Sequence, residues 1–157
     1  MENYDHVIIH AARVGNTEVL RELIAQETNV NARDDKGYTP LIIACYNNNY
    51  ESAKYLLESG ADVNAWDFGG NTALMGVSFK GYMNIAELLI NSGADLNLQH
   101  GNGGTALMFA AMFGRNEVVK LLLNRGADKT ILDARGNSVL DLAAQQGNET
   151  AIAILEQ

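Results

Sequence analysis

Asp34-Asp35-Lys36-Gly37-Tyr38-Thr39-Pro40-Leu41 opens a segment that closes on Gly60-Ala61-Asp62-Val63-Asn64-Ala65, and the next two stretches of the chain repeat it in register. Residues 34–66 laid over 67–99 and 100–132 align Gly37 with Gly70 and Gly103, Thr39 with Thr72 and Thr105, and Leu41 with Leu74 and Leu107. The pair Leu56-Leu57 becomes Leu89-Ile90 and Leu122-Leu123. Gly60-Ala61-Asp62 recurs as Gly93-Ala94-Asp95 and Gly126-Ala127-Asp128. Residues 1–33 and 133–157 fit the same frame without insertion, in degenerate form. A fixed period of 33 residues is the signature of stacked repeats, in which no single copy can bury its own apolar face.

Each copy contains its own folding instructions. Thr39 is placed to cap a helix and Pro40 to start it, because proline lacks an N–H that the first turn would leave unpaired. That helix ends near Asn48, in the slot filled elsewhere by Gly15, Gly81, Gly114 and Gly147. Glycine and asparagine both accept the left-handed conformation that closes a helix. A second helix is predicted over residues 50–58, its apolar face formed by Ala53, Leu56 and Leu57. The residues from Ala61 into Asp67-Phe68-Gly69-Gly70 then form an extended finger with a tight turn. Small residues Ala11, Ala44 and Ala110 at equivalent places let neighbouring helices approach, and Val77 beside Gly76 implies a local repacking.

The pattern resembles the ankyrin repeat family over the whole chain. Departures are few: Pro40 becomes Ala73, Ala106 and Val139, the histidine usual after Pro-Leu is Ile42, Met75 and Met108, and the leading aspartate is His100 in the fourth repeat. The resemblance implies an all-α solenoid of five stacked helix–turn–helix repeats (1–33, 34–66, 67–99, 100–132 and 133–157) with β-hairpin fingers. The expectation is one domain, 1–157. The first repeat, with Glu27-Thr28-Asn29 in place of Gly-Ala-Asp, and the polar last one read as caps, which predicts a complete unit. The Thr-Ala-Leu-Met copies at 72–75 and 105–108 resemble small, stand-alone bacterial ankyrins.

A formal charge of −8 argues against nucleic acid and anionic membranes, whose binders present basic stripes. A single cysteine, Cys45, cannot form an internal disulfide and fits a reducing compartment. No secretory signal or membrane-length apolar run is present, so a cytoplasmic protein is expected.

Catalytic chemistry finds no constellation, and the reading is of a non-enzyme without cofactor or metal. His6, His10 and His100 lie at different repeat positions, His6 in the helix-cap slot, and share no metal-ligand spacing. Cys45 reads as a small core residue. Gly101-Asn102-Gly103-Gly104 lacks the Gly-Lys-Ser/Thr of a phosphate loop and reads as a flexible or recessed fingertip. The recurring aspartates (Asp34, Asp67 and Asp133; Asp62, Asp95 and Asp128) suit turns closed by Asx bonds better than a calcium ladder.

The binding signal lies elsewhere. In the family, partners contact the fingertips and the exposed ends of the first helices, positions the fold does not need. Six of the eleven aromatic residues fall there: Tyr38, Tyr46, Trp66, Phe68, Phe79 and Phe113. Aromatics and methionine are enriched in interface cores, and Trp, Tyr and Arg dominate hot spots. The expected site is one apolar patch on the concave face, made by these rings with Met112 and flanked by Arg13, Lys36 and Lys80. Its occupant is a protein of unspecified identity. Self-association through the same patch is the alternative, and a small-molecule or enzymatic role ranks last because an open concave surface lacks a deep pocket. Tyr50, Tyr55, Tyr82 and Phe109 are expected to pack.

Overall fold

The computed structural model describes residues 3–157, which contain ten α-helices and no strand. The chain divides into two compact units, Met1–Ala73 and Leu74–Gln157. The first unit holds α1 (Asp5–Val14), α2 (Thr17–Ala25), α3 (Pro40–Tyr46) and α4 (Tyr50–Glu58). The second holds α5 (Ala73–Lys80, from its second residue), α6 (Met83–Asn91), α7 (Ala106–Met112), α8 (Asn116–Asn124), α9 (Val139–Gln145) and α10 (Glu149–Leu155).

Within the first unit α1 packs on α3 and α2 on α4, so the two helix pairs stack like on like. Ile8, Leu20, Leu41 and Leu56 fill the space between them at no more than 1% exposure. In the second unit α7 packs on α8 and α9, and α8 on α6 and α10. Its core centres on Ile85, Leu89, Leu107 and Leu122. Ala11, Ala44 and Ala110 are buried at the equivalent places, as the close approach of helices requires.

The helix ends follow the sequence reading. Thr39 Oγ1 accepts the Ile42 N–H at 3.2 Å and Thr105 Oγ1 that of Met108 at 3.3 Å. Pro40 occupies the first turn of α3. Asn48 takes a left-handed φ of 60° after α3. His6 departs from expectation: α1 already begins at Asp5 with Tyr4 as cap, so His6 stands exposed inside the helix. The acidic residue and the absence of Thr shift the start by a turn's fraction. Glu27 occupies the place of Gly60 and adopts φ 62° despite its side chain.

Fingers replace strands. Asp34 Oδ1 accepts the N–H groups of Lys36 and Tyr38, both at 2.9 Å, and Asp67 and Asp133 do the same in their own turns. The expected β-hairpins reduce to one isolated antiparallel bridge, Trp66 with Thr72. The turn aspartates take up two N–H groups in each of these fingers, and further N–H groups of the same fingers bond across to the preceding one, Phe68 to Lys36 O and Ala134 to Asn102 O.

Within each unit a second set of bonds ties a repeat to the one before it. Asn49 Nδ2 donates to the carbonyls of Ala12 and Arg13 at 2.9 and 3.0 Å. In the second unit Arg115 Nε reaches Phe79 O at 2.9 Å, and Asn148 Nδ2 reaches Ala111 O at 2.8 Å. These carbonyls end first helices and have no partner within them. Asn31 and Asn97 add a parallel device at the opposite end, accepting the N–H groups of Asp62 and Asp128.

One core position is ill matched. Ser78 is fully buried and its hydroxyl has no hydrogen-bond partner. The same repeat position is the buried Ala12, Cys45 or Ala111 in other copies. An unpaired buried hydroxyl costs about 1–3 kcal/mol. Ser78→Ala is therefore expected to raise unfolding free energy by about 1 kcal/mol, read as a higher urea midpoint at unchanged m-value.

Candidate functional site

In the first unit the apolar surface is built by two fingers and the end of one helix. Trp66 is 55% exposed and Phe68 70% exposed, although both are large rings. The bridge to Thr72 fixes the Trp66 backbone, and the Phe68 N–H donates to Lys36 O at 3.1 Å. That bond lays the Phe68 ring over Gly37, where any Cβ would come within 2.8 Å of it. Adjacent fingers are thus locked together at Lys36, Gly37 and Phe68. Tyr46 ends α3 at 45% exposure, while Tyr38 is half-buried beneath the finger turn. Arg13 and Lys36 are exposed.

Water-facing rings of this size are not explained by packing. Tyr55, by contrast, lies under the Arg21 guanidinium at 4.5 Å from the ring centroid, a cation–π contact that accounts for it. Tyr50 was expected to pack, but it is 38% exposed. It opens α4, and the first residue of a short helix projects past the apolar face.

In the second unit Phe79 and Phe113 meet edge to face with centroids 4.6 Å apart. Phe113 remains 45% exposed, whereas Phe79 and Lys80 are half-buried. Met112 is half-buried one residue before Phe113 and lines a groove of about 330 Å³. The groove lies between the fingers at 99–104 and 132–137 and the helices α7 and α9. Phe109, expected only to pack, also lines it, with the His100 ring edge-on at 5.0 Å.

His100 stands where other fingers carry aspartate and does part of the same work. Its Nδ1 accepts the Gly104 N–H at 2.9 Å. Of the neighbouring residues, Gly104 is buried, whereas Gly101 and Asn102 are exposed. Gln99 Nε2 ties this finger to the next, donating to Gly103 O and Leu132 O.

Cys45 is fully buried, and burial pushes its thiol far above the ordinary range, which removes the thiolate a nucleophile needs. Among the described residues no group of three or more His, Cys, Asp or Glu side chains is placed to hold a metal ion. No described helix is long and apolar enough to cross a membrane.

Sequence reasoning passed over Arg135, which stands on the groove rim at the repeat position of Lys36. The fifth repeat read as a cap, so its fingertip was not counted with the others, though the 33-residue register would have found it.

The family model of ankyrin repeats in three copies matches residues 2–67 and 74–157, and a second model of many-copy ankyrin repeats matches 48–90. No curated protein matches the chain.

Proposed function

The chain belongs to the ankyrin repeat family, whose repeats are generally protein–protein interaction modules, and from that premise we propose that it is a non-catalytic scaffold that binds a protein partner through its fingertips and first helices. One observation supports this most directly: Trp66 and Phe68 stand two residues apart on one finger at 55% and 70% exposure. Holding two such rings in water gains the isolated fold nothing, whereas burying them against a partner removes a large apolar area. Tyr46 with Arg13 and Lys36 in the first unit, and Phe79, Lys80, Met112 and Phe113 in the second, complete the proposed contact set. A cytoplasmic setting suits the lone reduced Cys45.

The test is a paired capture from the source cell's lysate. Wild type is compared with a Trp66→Ser, Phe68→Ser, Phe113→Ser variant, both first shown folded by circular dichroism. A protein retained by the first and lost by the second is then titrated in purified form against Trp66→Ala. Loss of an aromatic hot spot weakens binding by about 2 kcal/mol or more, about thirty-fold. Equal recovery from both baits sinks the proposed placement. Sedimentation across concentrations separates a foreign partner from self-association.

A further inference from the structure

The groove of the second unit has an apolar floor and an uneven rim. Met108 and Leu142 are buried at its base, and Phe109 and Met112 are half-buried along its side. Two methionines and a ring make a soft lining that adapts to differently shaped apolar groups. At about 330 Å³ the space lies at the small end of ligand sites. It suits one or two amino-acid side chains better than a nucleotide or a flat cofactor.

The rim decides the polarity. Asp133 is committed to its own turn: its Oδ1 accepts the Arg135 and Asn137 N–H groups at 2.9 Å each. Asp141, at the start of α9, closes the capping box with Ser138. Gln145 donates to Asn137 Oδ1 at 3.3 Å. Two rim side chains are left uncommitted. Arg135 is exposed, and its guanidinium donates no hydrogen bond to any described residue. Asn102 is exposed on the facing finger, its carboxamide likewise without a hydrogen bond among the described residues.

A fork of guanidinium donors beside an apolar floor is complementary to a carboxylate next to an apolar side chain. A single arginine, partly offset by Asp133, matches one negative charge better than a doubly charged phosphate. The net charge of −8 opposes this locally only through Asp133 and Asp141, both tied into their own turns. Glu87, Glu117 and Glu149 of this unit stand on α6, α8 and α10, the second helices. Those helices are a layer away from the groove, about a Debye length at physiological salt.

We propose that this groove receives a short segment of the protein partner, with a large apolar side chain on the Met108, Phe109, Met112 and Leu142 floor and the carboxylate of a neighbouring Asp or Glu on Arg135. This rests on the protein-binding reading above and names the chemistry of the segment. Arg135 and Asn102 then act as specificity determinants on facing fingers, and the methionines set tolerance for the apolar residue.

The probe is a random dodecapeptide library displayed on phage, selected against the full immobilised chain. Enriched sequences are synthesised and titrated against wild type, Arg135→Gln, and a Trp66→Ser, Phe68→Ser variant. Arg135 is exposed and bonds nothing through its side chain, so Arg135→Gln keeps the fold. The expected result is enrichment of Leu, Met or Phe within two residues of Asp or Glu. Arg135→Gln then weakens binding about tenfold, and so does replacing the peptide's acid with its amide. The two changes together cost little more than either alone, the mark of a direct pair. Absence of enrichment, enriched peptides without an acid, or binding indifferent to Arg135→Gln each overturns the inference. Peptides lost only from the Trp66→Ser, Phe68→Ser variant overturn the groove assignment while leaving the protein-binding reading standing.

Discussion

Leu122→Ala is expected to lower the unfolding free energy by about 2–5 kcal/mol, the range for deleting a fully buried leucine. Leu122 has no exposed surface, and its helix α8 packs on α6, α7 and α10. The cavity cannot collapse easily, because helices on three sides hold its walls apart. A small domain has about 5–15 kcal/mol in total, so the variant is left with a fraction of it. Leu123, the next residue, is half-exposed, and Leu123→Ala is expected to cost about 1 kcal/mol or less. Urea melts of the pair measure the contrast. Equal losses would mean that the burial pattern of α8 is misplaced.

Gly103→Ala is expected to be comparably severe for a different reason. Gly103 has φ 84°, and a Cβ there would come within 2.6 Å of the Ala134 nitrogen in the next finger. The obstacle is backbone, and that same nitrogen donates to Asn102 O at 3.0 Å. Left-handed strain contributes about 1–2 kcal/mol, and overlap with an atom that cannot rotate away adds about 1–3 kcal/mol. Gly126→Ala is the internal control: its φ is 94°, but a Cβ there meets nothing within 4 Å. It is expected to cost only the strain. A difference of about 2 kcal/mol between the two variants isolates the finger-to-finger contact. Gly103→Ala should also displace Asn102 from the groove rim and weaken any peptide bound there.

Repeat register, more than composition, carries the structural information in this sequence. Three leucines in a row, Leu121 to Leu123, are indistinguishable by composition. The period picks out Leu122, because Leu56 and Leu89 stand at the same place and are likewise fully buried. Turn aspartates, threonine caps and the left-handed Asn48 were legible for the same reason: they act on backbone within their own repeat. Side chains that act on a neighbouring repeat were not. Asn49 and Arg115 occupy one repeat position with unlike chemistry, yet both reach a carbonyl in the preceding copy, and only side-chain length and direction say so. The candidate surface divides along this line. Tyr46, Trp66, Phe68 and Phe113 stand in water, whereas Tyr38 and Phe79 are half-buried, because the turn and the Phe113 ring cover them. Ser78 carries no signal as a residue type, since a serine is equally at home on a surface; only its register with Ala12, Cys45 and Ala111 marks it as buried.

The reach-back bonds also order events in time as the chain is made. Ala12 O waits for Asn49, 37 positions later, before its side-chain donor exists. At about 5–20 residues per second on a ribosome, that is a delay of about 2–7 s during which the end of α1 faces only water. Ala111 O waits equally long for Asn148. The first and fourth helix pairs therefore emerge with a loose end that the next repeat fastens, and nascent chains halted between those points should be cut by a protease near the unfastened helix.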